Sequence, residues 1–266
     1  MQPALGPDRR SQWPALIDGH SLLLDVRGIS KRFGGVLAND AISFSVARGD
    51  LVAVIGPNGS GKTTLLNCIS GQSPPDAGEI RFDGHRLHAR PAAAIARLGL
   101  MRTFQQTGVY DALTSLQSVQ ASIDRSDEAL LALWWRYDAA TKDEALRCLD
   151  FVGLAECRDQ LAGELSYGQR KLLELAMALM SRPKMLLLDE PTAGVSPAMV
   201  PEVVQRLRRA NRELGITVLF IEHNMQVVAA LARQVHCLVQ GRLLASGTPH
   251  ELRADRRVLE AYLGGT

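Results

Sequence analysis

No run of this chain comes near the roughly 18 apolar residues that a membrane-crossing helix needs. The longest candidates, Met185–Leu188 and Val227–Ala232, are far shorter. Cysteine is scarce too: Cys68, Cys148, Cys157 and Cys237 are scattered, with no C-x-x-C pair and no histidine at metal-ligand spacing. That excludes a disulfide framework or a zinc ribbon and leaves reduced thiols of a cytosolic protein as the reading. Charge of one sign is also missing. Thirty Lys+Arg against 28 Asp+Glu leave a net +2, which gives no electrostatic case for nucleic acid as the main partner. The start, with Pro3, Pro7, Asp8, Arg9, Arg10 and Pro14, has no apolar core and is not a secretory signal. Residues 1–20 are expected to form a mobile tail. What remains is an ordinary globular composition, 46% hydrophobic and 22% charged, in a chain of 266 residues with room for one large domain or two small ones.

The most informative stretch is Gly56-Pro57-Asn58-Gly59-Ser60-Gly61-Lys62-Thr63-Thr64. It follows the apolar run Leu51–Ile55 and precedes Leu65-Leu66-Asn67-Cys68-Ile69, so it reads as strand, glycine loop and helix. In that setting G-x-x-x-x-G-K-[ST] is a phosphate-binding loop. Its glycines let consecutive backbone N–H groups turn inward, and the following helix offers the positive end of its dipole to an anion. Lys62 would reach the β- and γ-phosphates, the Thr63 hydroxyl would ligate Mg²⁺, and Thr64 would support the phosphates from the helix start.

Around this loop the pattern alternates. Leu22–Ile29 and Ala41–Val46 suit strands, the second with Ile42, Phe44 and Val46 on one face. Glu79–Phe82 is a short strand closed by an Asp83-Gly84 turn, residues 91–99 read as a helix, and Leu100–Phe104 as a strand leading to Gln105. From Leu113 to Leu165 strand signals vanish, which predicts an inserted helical subdomain carrying the helix Asp143–Val152 and the packing pair Trp134-Trp135. Ser166 opens a helix that Pro183 ends, and Met185–Leu188 is too short for a helix, hence a buried parallel strand. A helix over Pro197–Leu214 ends at Gly215; then come the strand Ile216–Ile221, another helix, the strand pair Val235–Val239 and Arg242–Ala245, and a last helix over Pro249–Leu263. Strands alternating with helices predict an α/β core with a mainly parallel sheet.

Ligands bind at the carboxyl ends of such strands, where Asp189-Glu190 and Glu222-His223 are delivered. Asp189 alone would be a capping carboxylate; behind a phosphate loop it becomes the group that holds Mg²⁺ through water. Glu190 either orients and deprotonates the attacking water or only caps and pairs. His223 is either a satisfied structural histidine or a contact to the γ-phosphate. Gln105 is equally open, its amide able to touch Mg²⁺ or water. Phe33 is either a core aromatic or a stacking surface for a nucleobase.

Five motifs in order, Gly56–Thr64, Gln105, Leu165-Ser166-Tyr167-Gly168-Gln169, Asp189-Glu190 and His223, make residues 21–263 resemble the ATP-binding subunit of an ABC transporter. The resemblance implies a P-loop ATPase core with an antiparallel β subdomain and a helical subdomain over about residues 113–165. It implies ATP and Mg²⁺ as cofactors, Phe33 stacked on adenine, and Gln105 linking the nucleotide site to the helical subdomain. Ser166, Gly168 and Gln169 would close over ATP held by a second subunit. Met101-Arg102-Thr103-Phe104-Gln105, Ile221-Glu222-His223-Asn224-Met225 and the ending Leu259-Glu260-Ala261-Tyr262-Leu263-Gly264 are similar to importers of branched-chain amino acids, urea or short amides. The implied partners are a second ATPase subunit, two membrane permease subunits and, indirectly, an external solute-binding protein. The implied place is the cytoplasmic face of the inner membrane. Relatives that act on DNA or ribosomes carry long coiled coils or two ATPase units, neither of which is present here. Departures from the family pattern are Tyr167 in place of Gly, Phe33 in place of Tyr, and no Asp in Ala193-Gly194-Val195-Ser196.

Overall fold

The computed structural model describes residues 21–88, 90–103, 109–122 and 139–263. Gln105, Trp134 and Trp135 lie outside the described residues, as does the expected N-terminal tail.

Among the described residues ten strands form two sheets. The central one has the order β10-β9-β3-β8-β7-β6, built from β3 (Leu51–Ile55), β6 (Leu100–Thr103), β7 (Met185–Asp189), β8 (Thr217–Ile221), β9 (Gln234–Val239) and β10 (Arg242–Gly247). All its pairings are parallel except that of β10 with β9. The second sheet, wholly antiparallel, is β2-β1-β4-β5, from β1 (Leu22–Phe33), β2 (Val36–Ala47), β4 (Ala77–Phe82) and β5 (His85–Arg86). The helices are α1 (Lys62–Ile69), α2 (Ala92–Arg97), α3 (Ser115–Ala121), α4 (Ala139–Val152), α5 (Tyr167–Met180), α6 (Val200–Leu214), α7 (Met225–Leu231), α8 (Pro249–Ala254) and α9 (Arg256–Leu263). The α/β class and the mainly parallel sheet are as the sequence predicts, and the antiparallel β subdomain is as the family resemblance implies.

Strand periodicity decides which residues face which layer. Leu51, Ala53 and Ile55 of β3, with Leu186, Leu188, Val218 and Phe220, pack into a core shared with α4, α5 and α6. Val52 and Val54, with Met185, Leu187, Leu219 and Ile221, pack into a second core shared with α1 and the antiparallel sheet. Every residue of β3, β7 and β8 is buried, which explains why these strands read as continuous apolar runs.

Several boundaries differ from expectation, among them α4, which starts at Ala139 rather than Asp143. The first two strands run on to Phe33 and back from Val36, turning at Gly34-Gly35, so Lys31-Arg32-Phe33 is strand rather than connection. The helix expected from Pro197 starts at Val200. The last helix is two helices broken at Asp255, whose backbone is extended and whose Oδ1 accepts the Arg257 N–H at 2.9 Å, capping α9.

Candidate active site

The loop Gly56–Thr64 leaves β3 at the centre of the sheet and enters α1 at Lys62. Gly56 has φ +145°, and a Cβ there would lie 2.0 Å from the Leu238 carbonyl oxygen, so only glycine fits. Gly61 sits at the cap with φ 94°, and among the described residues no side chain makes a capping hydrogen bond to the start of α1. The first-turn N–H groups, those of Thr63 and Thr64 among them, therefore lack the usual capping oxygen, the condition for binding an anion. Asn58 and Gly59 are exposed at the loop's tip, while Ser60 is buried beneath it.

The Lys62 ammonium folds back over its own loop and donates to the Gly56 and Pro57 carbonyl oxygens at 2.8 and 2.9 Å. Burial lowers its pKa, and Glu190 and Asp189 oppose that shift. Lys62 in the loop after β3 and Asp189-Glu190 at the end of β7 thus lie at the same carboxyl edge of the sheet, the edge the sequence predicts, with β8 between β3 and β7.

Asp189 ends β7 and is 3% exposed. Its Oδ2 accepts from Nη2 of Arg102 at 3.1 Å. Arg102 lies on β6, and its Nη1 is shared among Asn67 Oδ1 (2.5 Å), Gln72 Oε1 (2.9 Å) and Ser70 Oγ (3.2 Å) around the end of α1. Burial pushes the Asp189 carboxyl upward and Arg102 draws it back. Among the described residues, Oδ1 of Asp189 is buried without a hydrogen-bond partner. That orphaned oxygen and the exposed Thr63 hydroxyl are hard ligands that fit a divalent cation. Among the described residues no three His, Cys, Asp or Glu side chains gather into a metal cage. A cation here would draw its other ligands from phosphate and water, the habit of Mg²⁺.

Glu190 follows with φ 50°, a left-handed conformation costly for a residue with a side chain. Its N–H donates to the Ile221 carbonyl at 3.0 Å, which pins it to β8. His223 Nδ1 stands 3.6 Å from Glu190 Oε1, and the imidazole is 62% exposed, so the histidine is not a core residue.

Sequence reasoning gave no role to Glu222. Its carboxylate is fully buried and accepts from Thr192 N–H (3.2 Å) and the Thr192 hydroxyl through Oε1, and from His223 N–H (3.1 Å) and Asn224 N–H (3.2 Å) through Oε2. It ties the turn after Glu190 to the turn carrying His223. Nor was Arg102 singled out as more than part of a motif. A charged residue inside a β-strand beside a phosphate-loop chain was the available signal.

Phe33 ends β1 half exposed, with Lys31 Nζ over its ring 5.5 Å from the centroid, which rules out the core reading. Ser166 caps α5 in a reciprocal box. Its Oγ accepts Gln169 N–H at 3.3 Å while Gln169 Oε1 accepts Ser166 N–H at 2.9 Å. Gly168 is buried against Met199, where a Cβ would come within 3.2 Å of the methionine's own Cβ. Among the described residues, no hydrogen bond joins Ser166–Gln169 to the phosphate loop. The departure at Tyr167 has a local partner: a Cβ on Gly194 would lie 3.0 Å from the Tyr167 ring, so the aromatic covers the loop after Glu190.

A phosphate loop at the carboxyl edge of a parallel sheet, faced by strand-end carboxylates, defines a P-loop nucleotide triphosphatase. The chain belongs to the ABC transporter family: the family model "ABC transporter" matches residues 39–193. A second model, "Branched-chain amino acid ATP-binding cassette transporter", matches residues 242–266, and the chain is an ATP-binding subunit of that kind. It is 36% identical over 249 residues to the high-affinity branched-chain amino acid transport ATP-binding protein BraF of Pseudomonas aeruginosa, covering 91% of this chain and 98% of the relative. It is 33% identical to LivG of Escherichia coli K12 over the same shares. Among solved structures, a nucleotide-free ATP-binding cassette from an ABC transporter matches with TM-score 0.82 and 32% identity over 91% of this chain and 99% of the other. A cassette in its ADP conformation matches with TM-score 0.82 and 33% identity over 92% and 99%. Among the described residues no helix is long and apolar enough to cross a membrane.

Proposed function

We propose that this chain hydrolyses ATP as one half of a pair of ATPase subunits and drives uptake of branched-chain amino acids, or similar small polar solutes, through two separate membrane permease subunits. It works at the cytoplasmic face of the inner membrane, fed from outside by a solute-binding protein. The segment 113–165 and the region of Gln105 form the surface that meets the permeases. The observation that carries this reading is the placement of the phosphate loop with Lys62 and of Asp189-Glu190 at one carboxyl edge of the parallel sheet.

Each residue then has a task. Lys62 leaves the Gly56 and Pro57 carbonyls for the β- and γ-phosphates, which replace two neutral acceptors with anionic ones. The open start of α1, with Thr63 and Thr64, takes the phosphate oxygens, and Phe33 stacks on adenine. Thr63 and Asp189, with Gln105, would hold Mg²⁺, which when bound neutralises charge building on the phosphates. Glu190 orients the attacking water and takes its proton; His223 beside it reaches the γ-phosphate. Ser166, Gly168 and Gln169 of the second subunit close the site. The Ser166 hydroxyl accepts from Gln169 N–H, and its own O–H remains to donate to a phosphate.

Glu190→Gln is expected to keep ATP binding, abolish turnover and trap a dimer visible on size exclusion in MgATP. An unchanged hydrolysis rate would refute the general-base role. Lys62→Ala is expected to lose most ATP affinity in a nucleotide titration, and wild-type affinity overturns the phosphate role.

A further inference from the structure

The phosphate loop is braced from behind by three elements. The buried Asn39 of β2 donates through Nδ2 to the Gly61 carbonyl at 3.0 Å. Gly241, in the tight turn joining β9 to β10, donates its N–H to the Ser60 carbonyl at 3.1 Å. The third brace comes from the far end of the chain: the Tyr262 hydroxyl oxygen accepts the Gly56 N–H at 2.7 Å.

Gly56 is where a brace is needed. It is buried, and it directly follows Ile55, the last residue of β3 and the last one paired to a neighbouring strand. A buried backbone donor without a partner is costly. The next residue, Pro57, has no N–H with which to take over. The Tyr262 hydroxyl supplies the missing acceptor.

The helix that carries the tyrosine is held in place for this. Asp255 caps α9, and Val258, 4% exposed, anchors it in the main core beside Leu252. Tyr262 is four residues past Val258, one helical turn along the same face. The residue is 38% exposed as a whole, while its hydroxyl reaches the buried Gly56 N–H. Beside the contact, Glu260 and Ala261 share a cavity of about 260 Å³ with Pro57, Asn58, Gly59 and Ser60, so α9 forms one wall of the loop's surroundings. Burial pushes the phenol up to about 12, so it stays a neutral hydroxyl through the physiological range.

We propose that α9 is a latch on the phosphate loop and that Tyr262 is a positioning residue for ATP binding, acting through the Gly56 N–H. The inference rests on Gly56–Thr64 being the ATP site. With the latch engaged the loop keeps the one conformation in which its N–H groups converge. With it released the loop samples others, and apparent affinity falls by the fraction that remains competent. The chemistry itself is untouched, because Gly56 and Tyr262 are not reacting groups.

The test is Tyr262→Phe in the full chain, which keeps the ring and removes only the acceptor, beside Lys62→Ala as the site control. Expected for Tyr262→Phe are a Kd and KM for MgATP raised about 3- to 10-fold, kcat within about twofold of wild type, and faster hydrogen exchange confined to the peptide containing residues 55–60. Tyr262→Ala, which also removes the ring, should weaken binding at least as much. If Tyr262→Phe shows wild-type Kd and wild-type loop exchange while Lys62→Ala loses ATP, the latch is overturned and the ATP site stands. If Lys62→Ala binds ATP like wild type, the site reading fails first. A Tyr262→Phe defect in kcat with unchanged KM would also overturn the latch, since a loop-positioning role acts on binding.

Discussion

Arg102→Met should unfold this protein far more easily than an ordinary strand substitution. The Arg102 and Asp189 side chains are 9% and 2% exposed, with Nη2 and Oδ2 3.1 Å apart. At an effective dielectric of about 20, unit charges at that separation attract by about 5 kcal/mol, a gain largely offset by what burying both ions costs. The pair as a whole is therefore worth little beside an apolar pair of the same volume. Removing only the arginine is different. It strands Asp189 in the interior and leaves the acceptors Asn67, Ser70 and Gln72 unserved, a loss of about 3–5 kcal/mol. For a domain of this size that lowers Tm by about 6–20 °C. The assay is urea denaturation followed by circular dichroism on wild type, Arg102→Met, Asp189→Asn and the double variant. The double variant should recover about 2 kcal/mol or more over the sum of the single losses. A single Arg102→Met variant within about 0.5 kcal/mol of wild type would refute the buried-pair argument.

Two further expectations concern titration. His236 is 3% exposed, bonded through Nδ1 to Ser246 Oγ at 2.7 Å, and burial drops it from 6.5 to about 4. The unfolded chain therefore takes up the proton first, so stability is full above pH 6.5 and declines as pH falls toward 4, by about 3 kcal/mol in all. Chemical denaturation of His236→Gln across that range should show a flatter slope than wild type, and an identical slope would contradict it. Burial raises Cys68 and Cys237 to about 11 and Cys148 to about 12, while Cys157 is half-buried. Thiol titration of the native protein should give fast reaction at Cys157 alone; two or more fast thiols would be incompatible with these environments.

How much was legible in the sequence follows from the range of the interactions. The phosphate loop and the runs Leu51–Ile55 and Met185–Leu188 are local patterns, and both strands lie where the pattern puts them. The central sheet's parallel core follows from the alternation alone. The break at Asp255 was hidden because its cap competes with an otherwise continuous helical run over Pro249–Leu263. Phe33 was open between core and surface because a lone aromatic does not reveal its neighbours; the hairpin at Gly34-Gly35 leaves it at an exposed strand end. Arg102, Glu222 and Tyr262 were passed over as site residues for one reason. The contacts that give them their place, to Asp189, to Thr192 (besides the adjacent His223 and Asn224 of Glu222) and to Gly56, span 87, 30 and 206 positions, beyond any periodicity or motif spacing.

Glu222 has a mechanical consequence. One rigid, fully buried carboxylate is pinned by two atoms to Thr192 and by two more to His223 and Asn224. It works as a rivet through two flaps. Whatever displaces the flap after β7 must carry the flap after β8 with it or tear out the rivet, so Glu190 and His223 stay in register as a single moving part.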